Sequence, residues 1–485
     1  MRKTEPMEDF LRQHVWKKEG KQYVDLFDLE LSDDRRAQLN FHVESYYANQ
    51  FDKHNDDSVQ QRRLGNDIVM PDSALDYYNE SLRFAEENSR HVGMAYANRA
   101  SCFYRLNMFK TALRDIEFAK TTQFPENLLP KLEQLERDII EASPMEYGEQ
   151  KPETLPTLSY IPNEKIPCLA DVVKIKYDSK FGRHVISKYK LPANKVIMIE
   201  QDYLKTFDAA KPRSCTTCFA EERNFIACKG CADAMFCDDD CVKKSQIHKW
   251  ECNTFITNID HELKIVIHSI LLAIDTFTVE KETNVNELMK FVADMWNEKL
   301  KKPKKMPKST HDAVTKYEFF FKLESNAPIQ FKFGKNFNAL ELVYIIFSLL
   351  TMLPKIQAAF DSVDKKRFLM HLISYHCLVI NINYFSTLNN LSLGIIQSLF
   401  NHSCDPNLSH LYIANQRFFI TQKKTYRHRQ FFISYINANL TTAQRQKMIM
   451  KSWGFECKCK LCKISIGQEL ANRCRNVMNV LTHDF

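Results

Sequence analysis

Residues 215–252 read CTTCFAEERNFIACKGCADAMFCDDDCVKKSQIHKWEC, and no other stretch limits the folding of this chain as severely. Its seven cysteines and one histidine come in pairs. Cys215 with Cys218, and Cys228 with Cys231, are separated by two residues; Cys237 with Cys241, and His248 with Cys252, lie four apart. The tighter spacing suits a turn that aims two sulfurs inward, and positions four apart share one face of a helix. Eight ligands make two four-coordinate sites, the closed geometry of structural zinc, with none left for an open catalytic position. A histidine among thiolates favours zinc over an iron–sulfur cluster, and a disulfide framework would strand His248. Of the 15 cysteines, three more lie in FECKCKLC (Cys457, Cys459, Cys462) and five are scattered: Cys102, Cys168, Cys377, Cys404 and Cys474.

The 485 residues as a whole have ordinary globular composition, 44% hydrophobic and 26% charged, and are enough for several domains. A formal charge of +7 permits an acidic partner without demanding nucleic acid. The opening MRKTEPMEDFLRQ lacks a charged-then-apolar leader, so no signal peptide is expected. The apolar runs at 263–274 and 340–353 fall short of the roughly 20 residues a membrane helix needs, and read as buried helices. The expectation is a soluble chain in a reducing compartment, where clustered cysteines bind metal.

Along the chain, 1–66 is polar with helical patches. From Pro71 the pattern sharpens: cap-competent Asp72 and Ser73 precede a helix with Leu75, Tyr78, Leu82 and Ala85 on one face. Further helices are expected over 92–106, 109–121 and 128–140. With small residues at their contacts (Ala74, Ala95, Ala100, Ala112), these hairpins resemble tetratricopeptide repeats; a plain bundle is the alternative. Pro144, Pro152, Pro156, Pro162 and Pro167 mark a linker, after which 172–200 alternates apolar and polar residues as short strands do. The region 255–380 reads as helical, interrupted by EKLKKPKKMPKST, a solvated loop or a nuclear-import signal.

The ligand order in 215–252 closely resembles a MYND zinc finger, a family of protein-interaction modules in which the pairs interleave. The resemblance assigns Cys215, Cys218, Cys237 and Cys241 to one zinc, and Cys228, Cys231, His248 and Cys252 to the other. With GRHVISKYKLPANKVIMIE ahead of the finger, and SLFNHSCDPN and FFISYINA after it, residues 70–465 resemble the SET-and-MYND lysine methyltransferases, in their tetratricopeptide-containing branch. The resemblance implies an α+β protein: a β-rich SET core split by the finger, tetratricopeptide-like helices ahead of it and a helical insert. Expected segments are an N-terminal helical region (1–66), repeats (67–145), the first SET part (168–212), the finger (213–254), the insert (255–380), the catalytic SET part (381–456) and a post-SET zinc segment with a short tail (457–485).

On the same resemblance Cys404 joins Cys457, Cys459 and Cys462 around a third zinc; a free buried thiol is the alternative. Asn401 and His402 lie beside S-adenosylmethionine, Asn383 and Arg183 contact it too, and Tyr435 is both cofactor-contacting and catalytic, orienting the amine or stabilising the charge change. A neutral amide donates and accepts at once, which suits a zwitterionic ligand. Several positions depart from the family pattern, among them Phe181 where a lysine is common. Gly-Arg-Gly is Gly182-Arg183-His184, the acidic Gly-Glu-Glu is His428-Arg429-Gln430, and Trp453 replaces a tyrosine. The implied function is S-adenosylmethionine-dependent methylation of protein lysines, histone or non-histone, with a possible role in transcriptional regulation. The alternative is a zinc-stabilised adaptor. Partners implied are a substrate protein and proline-containing peptides or transcriptional regulators at the finger, without membrane or required nucleic acid. The protein is expected to be a monomer of nucleus and cytoplasm.

Overall fold

The computed structural model describes residues 16–17, 23–24, 32–47, 52–143, 155–207, 214–220, 224–279, 282–301, 306–325, 337–386, 390–413, 415–437 and 439–464. Cys474, Pro144, Pro152, most of the first 31 residues and the tail beyond 464 lie outside them. The chain forms two compact units. One comprises Ser32–Leu155 and Phe207–Lys264; the other comprises Met1–Leu31, Pro156–Thr206 and Ile265–Phe485. Both helices and sheets are present, the mixed class expected from the sequence.

The first unit is built on consecutive helices: α1 (Asp33–Tyr47), α2 (Asn55–Asp67), α3 (Pro71–Phe84), α4 (Arg90–Arg105), α5 (Phe109–Lys120) and α6 (Leu129–Ala142). The stripe Leu75, Tyr78, Leu82 and Ala85 is buried as its spacing predicts, and Ala74, Ala95, Ala100 and Ala112 are closed off from solvent. Small side chains let neighbouring helices approach, while Phe103 and Ile116 fill the space between them. Each fully buried side chain of that size stabilises by roughly 1.5–3 kcal/mol. One expectation needs correction. Helix α3 begins at Pro71 with Met70 as its N-cap, so Asp72 and Ser73 sit inside the first turn and not at the cap position. Proline's fixed φ and missing N–H suit the first helical position, which moves the start upstream.

Residues 214–264 complete this unit. A short hairpin pairs Ile226 with Phe236 and Ala227 with Met235. Phe225, Ile226, Met235 and Phe236 share one apolar cluster with α3–α6. A buried polar link crosses the same seam. Arg99 donates from Nε and Nη2 to the two Asp115 carboxylate oxygens at 2.7 Å each, and from Nη1 to Asn79 Oδ1 (2.5 Å) and the Phe225 carbonyl (2.7 Å).

The second unit carries short sheets and a helical body. Strands β1 (Val173–Asp178) and β2 (Gly182–Ser187) form a hairpin, β3 (Val196–Gln201) follows, and β4 (Leu204–Phe207) ends that segment. Later come β5 (Phe385–Ser386), β6 (Asn390–Leu393), β7 (Asn401–His402), β8 (Leu408–Ile413), β9 (Gln416–Thr421) and β10 (Phe432–Ile433). Strand order is β5-β6-β4 in one sheet and β8-β9-β3 in another, and β7 pairs parallel with β10. Strands from before and after residues 207–264 therefore share sheets, as a split domain requires. The helical body includes α7 (His261–Thr276), α8 (Val285–Lys301), α9 (Ala313–Phe321), α10 (Ala339–Thr351) and α11 (Val363–Asn383). Most of both apolar runs noted in the sequence lies in it, along α7 and α10. Among the described residues no helix is long and apolar enough to cross a membrane.

Candidate metal centres and active-site cleft

Among the described residues three clusters of metal-ligating side chains form, and in each the four ligand atoms lie within 4.8 Å of one another: Cys215, Cys218, Cys237 and Cys241; Cys228, Cys231, His248 and Cys252; Cys404, Cys457, Cys459 and Cys462. The spacings fit zinc. A tetrahedron with 2.3 Å metal–sulfur bonds has edges of about 3.8 Å. Observed separations are 3.6 Å for Cys218–Cys237, 3.6 Å for Cys228–Cys252, 3.5 Å for Cys462–Cys404 and 3.8 Å for Cys404–Cys457. None of the described cysteines is in a disulfide.

Local backbone explains why the spacing works. The Cys218 N–H points at Cys215 Sγ (3.5 Å) and the Cys462 N–H at Cys459 Sγ (3.5 Å), the same turn serving two clusters. Asp238 caps the helix Asp239–Lys244 by accepting from the Cys241 N–H at 2.8 Å, which sets Cys241 facing its site. His248 offers Nε2, 3.2 Å from Cys228 Sγ, while the Glu251 carboxylate lies 3.9 Å from its Nδ1, beyond hydrogen-bond distance. At the third cluster Arg445 Nη2 lies 4.0 Å from Cys462 Sγ, a positive charge beside a site rich in thiolate.

The second unit also holds a cleft of about 700 Å³, within the range of small-molecule sites. Arg183, Asn383, Asn401 and Tyr435 line it, with Phe400, Trp453 and Phe455 as aromatic wall. His402 sits just behind them. Its Nδ1 accepts the Tyr435 N–H at 3.0 Å, its Nε2 lies 3.3 Å from Cys404 Sγ, and its ring stands 5.3 Å from the Tyr435 ring. Burial, then Arg445, pushes the imidazole down to about 4, so it is neutral and acts as an acceptor. The third metal cluster and the cleft wall are thus joined through one side chain.

Tyr435 donates its hydroxyl to the Phe400 carbonyl at 2.7 Å, and its ring stands 5.0 Å from Trp453. Burial holds its pKa above the ordinary phenol value, which keeps the hydroxyl protonated. Trp453 meanwhile gives its indole N–H to the Ile382 carbonyl (3.1 Å) and packs as wall.

Both asparagines spend their amide nitrogens on backbone. Asn401 Nδ2 donates to the Phe181 (2.9 Å) and Arg183 (3.4 Å) carbonyls, and Asn383 Nδ2 to Glu324 (2.8 Å) and Val379 (2.7 Å). What either can still offer a ligand is its Oδ1 acceptor. Gly182, at φ +63°, makes the turn that Asn401 clamps. Arg183 Nη2 lies 3.8 Å from the Glu324 carboxylate. Two further wall groups, Gln397 Oε1 and Arg417 Nε, are buried without a hydrogen-bond partner. An acceptor and a donor awaiting partners suit a ligand that carries both kinds of group. Glu324, Gln397 and Arg417 were not singled out from the sequence. Nothing in KLESN, IIQSL or NQRFF distinguishes them from surface polar residues.

No family model matches the chain. Among curated proteins it is 23% identical over 221 residues to the protein-lysine N-methyltransferase SMYD4 of Danio rerio, covering 40% of this chain and 28% of that protein. It is 21% identical over 329 residues to the SET domain and MYND-type zinc finger protein 6 of Schizosaccharomyces pombe, covering 65% of this chain and 57% of the relative. The chain is similar to SET-and-MYND proteins. Its first two clusters group the cysteines and histidine as the resemblance to a MYND finger implied. The chain matches just over half the length of the Schizosaccharomyces pombe relative and under a third of the Danio rerio one. The solved structure of Rubisco LSMT bound to AdoMet aligns over 59% of the chain and 52% of that protein at 13% identity, with a TM-score of 0.30, too slight a likeness to carry an argument.

Proposed function

We propose that this protein is an S-adenosylmethionine-dependent protein-lysine N-methyltransferase and that the 700 Å³ cleft is its active site. The observation that carries the reading is the gathering of Arg183, Asn383, Asn401 and Tyr435, separated by up to 252 residues of sequence, on one wall. The Danio rerio relative bears the name of that activity.

S-adenosylmethionine, when bound, supplies an electrophilic methyl group on a positively charged sulfur. The Oδ1 atoms of Asn401 and Asn383 are acceptors matched to its ammonium, and Arg183 is matched to its carboxylate. The substrate lysine must arrive neutral, although its amine normally titrates near 10.4. An aromatic wall that excludes water disfavours the ammonium and so frees the lone pair. Arg183, Asn383 and Asn401 would hold the donor, which would supply the methyl group to the neutral amine, and the amine's surplus proton would leave to solvent. Tyr435, held by Phe400 O and packed between His402 and Trp453, orients the amine. Orientation of that kind, not acid–base chemistry, is the main contribution such a rigid site can make.

The finger serves as a docking module for proline-containing peptides or transcriptional regulators, and the enzyme works as a monomer in nucleus and cytoplasm. Titration calorimetry with S-adenosylmethionine, followed by labelled-methyl transfer to a protein extract, tests the activity. Tyr435→Phe should lower transfer by about a hundredfold through lost positioning of the amine while three zincs per chain remain. Absence of any binding heat removes the enzyme reading, and full-rate transfer by the variant removes Tyr435 from the reaction.

A further inference from the structure

A second hollow of about 430 Å³ opens between the β1–β2 hairpin and the loop 424–430, and Phe181 lines both it and the cleft. Its charged lining is overwhelmingly basic: Lys176, Lys424 and Arg429, with His184 and His428 beside them. The one carboxylate in the lining, Asp178, is already engaged. It accepts from the Lys180 (2.9 Å) and Phe181 (2.7 Å) N–H groups and lies 3.5 Å from His184 Nε2. Among the described residues no carboxylate lies within ion-pair distance of Lys424 or Arg429.

One lining residue is unexplained by the fold. Gln430 buries both side-chain atoms, Oε1 and Nε2, with no partner for either. Leaving such a pair unmet costs roughly 1–3 kcal/mol per group, so a buried amide of this kind calls for a reason. A lone carboxylate or phosphate answers only Nε2. A peptide segment answers both, giving its N–H to Oε1 and its carbonyl to Nε2. The loop is held ready for it: Asn407 donates from Nδ2 to the Gln430 carbonyl (3.0 Å) and accepts from the Phe432 N–H at Oδ1 (2.8 Å). Phe432 belongs to β10, whose partner β7 carries Asn401 and His402, so the hollow and the cleft adjoin the same pair of strands.

We propose that this hollow is a substrate-recognition pocket for an acidic polypeptide segment, with Gln430 pairing to the segment's backbone and Lys176, Lys424 and Arg429 reading its carboxylate or phosphoryl side chains. The inference rests on the methyltransferase reading for its meaning, since the segment belongs to the substrate. Its binding test does not require turnover. A sequence such as KKTYRHRQ, where the family pattern has acidic residues, thus selects acidic flanks around a target lysine.

The test is fluorescence anisotropy on the full chain, without S-adenosylmethionine, using a short labelled peptide rich in glutamate around one lysine. Parallel arms use the same peptide with glutamine for glutamate, with phosphoserine for glutamate, and a single-stranded RNA of equal length. The glutamate peptide, the phosphoserine peptide or both should bind, and more weakly as salt rises. Gln430→Leu and the double variant Lys424→Glu/Arg429→Glu should each weaken that binding by about tenfold, with three zincs retained as the sign of a folded chain. Equal binding of the glutamine peptide, tighter binding of RNA, or variants that bind like the parent overturns the proposal. Peptide binding that survives in a chain unable to transfer methyl groups leaves the pocket standing and sinks only the methyltransferase reading.

Discussion

The finger and the cleft reach order by opposite routes. All eight finger ligands lie within 38 consecutive residues, so two short turns and one capped helix bring them together. The cleft draws Arg183, Asn383, Asn401 and Tyr435 from four distant places, and only pairing such as β7 with β10 makes them neighbours. The third cluster lies between these extremes: three ligands within six residues, and a fourth, Cys404, 53 residues upstream of Cys457. Local spacing closes a site cheaply in entropy, whereas a distant ligand must be carried in by a whole sheet.

Metal removal should expose that contrast most strongly. Structural zinc sites contribute on the order of 10 kcal/mol to folding. Because Phe225, Ile226, Met235 and Phe236 share the apolar cluster of α3–α6, chelation should collapse the finger and lower the melting temperature of those helices with it. Helical circular dichroism that melts unchanged after complete zinc loss would show the two to be independent. Cys404→Ser is the sharper version. Zinc should fall from three to two per chain, and S-adenosylmethionine affinity should fall about tenfold or more because His402 loses its neighbour, while the finger keeps both metals. Undiminished affinity at two zincs would sever the link between the third cluster and the cleft.

Next in size is the seam between finger and helices. Arg99→Leu leaves Asp115 buried without its partner and should cost about 3–5 kcal/mol, read from urea unfolding. Adding Asp115→Leu should restore much of that loss. A double variant no better than the single one would mean that the bonds to Asn79 and Phe225, not the ion pair, hold the seam.

The smallest effect is a pH slope in the second unit. Burial lifts the Glu200 carboxyl from its ordinary 4.5 to about 7, against the pull of the Ile396 and Gln397 N–H groups at 2.8 and 2.7 Å. The folded state therefore holds this proton more tightly than the unfolded one. Its stabilising contribution is full below about 4.5 and fades as pH rises through 7, at up to about 1.4 kcal/mol per pH unit. Glu200→Gln should flatten that decline in thermal melts between pH 5 and pH 8; an identical slope in the variant would place the titrating group elsewhere.

Much of this was legible in advance. The stripe in α3 announced its buried face because an apolar period of 3.6 can only be a helix side. The finger announced its metals because eight well-spaced ligands have no other economical use. Start points were less legible: Pro71 begins α3 where Asp72 and Ser73 looked like caps, since proline's preference for the first turn outweighs a cap two residues on. Arg99 gave no sign at all. In ANRAS it looks like any helical surface arginine, and only the packing of α4 against α5 and the finger makes it a buried hub. Gln430 was noticed as part of a departure from the acidic family pattern, yet its unpartnered amide is visible only in the folded loop.

By itself, the sequence determined which residues could bind metal, which faces of α3–α5 would be buried, and which family the chain resembles. Each of those properties is encoded over a few turns of chain, where spacing and side-chain chemistry act directly. Tertiary structure alone decided that Arg99 bridges helices and finger, that His402 joins the third cluster to Tyr435, and that a basic hollow adjoins the cleft. Those are meetings of groups remote in sequence. Their closeness is set by strand pairing and packing over the whole unit, and no local pattern reports it.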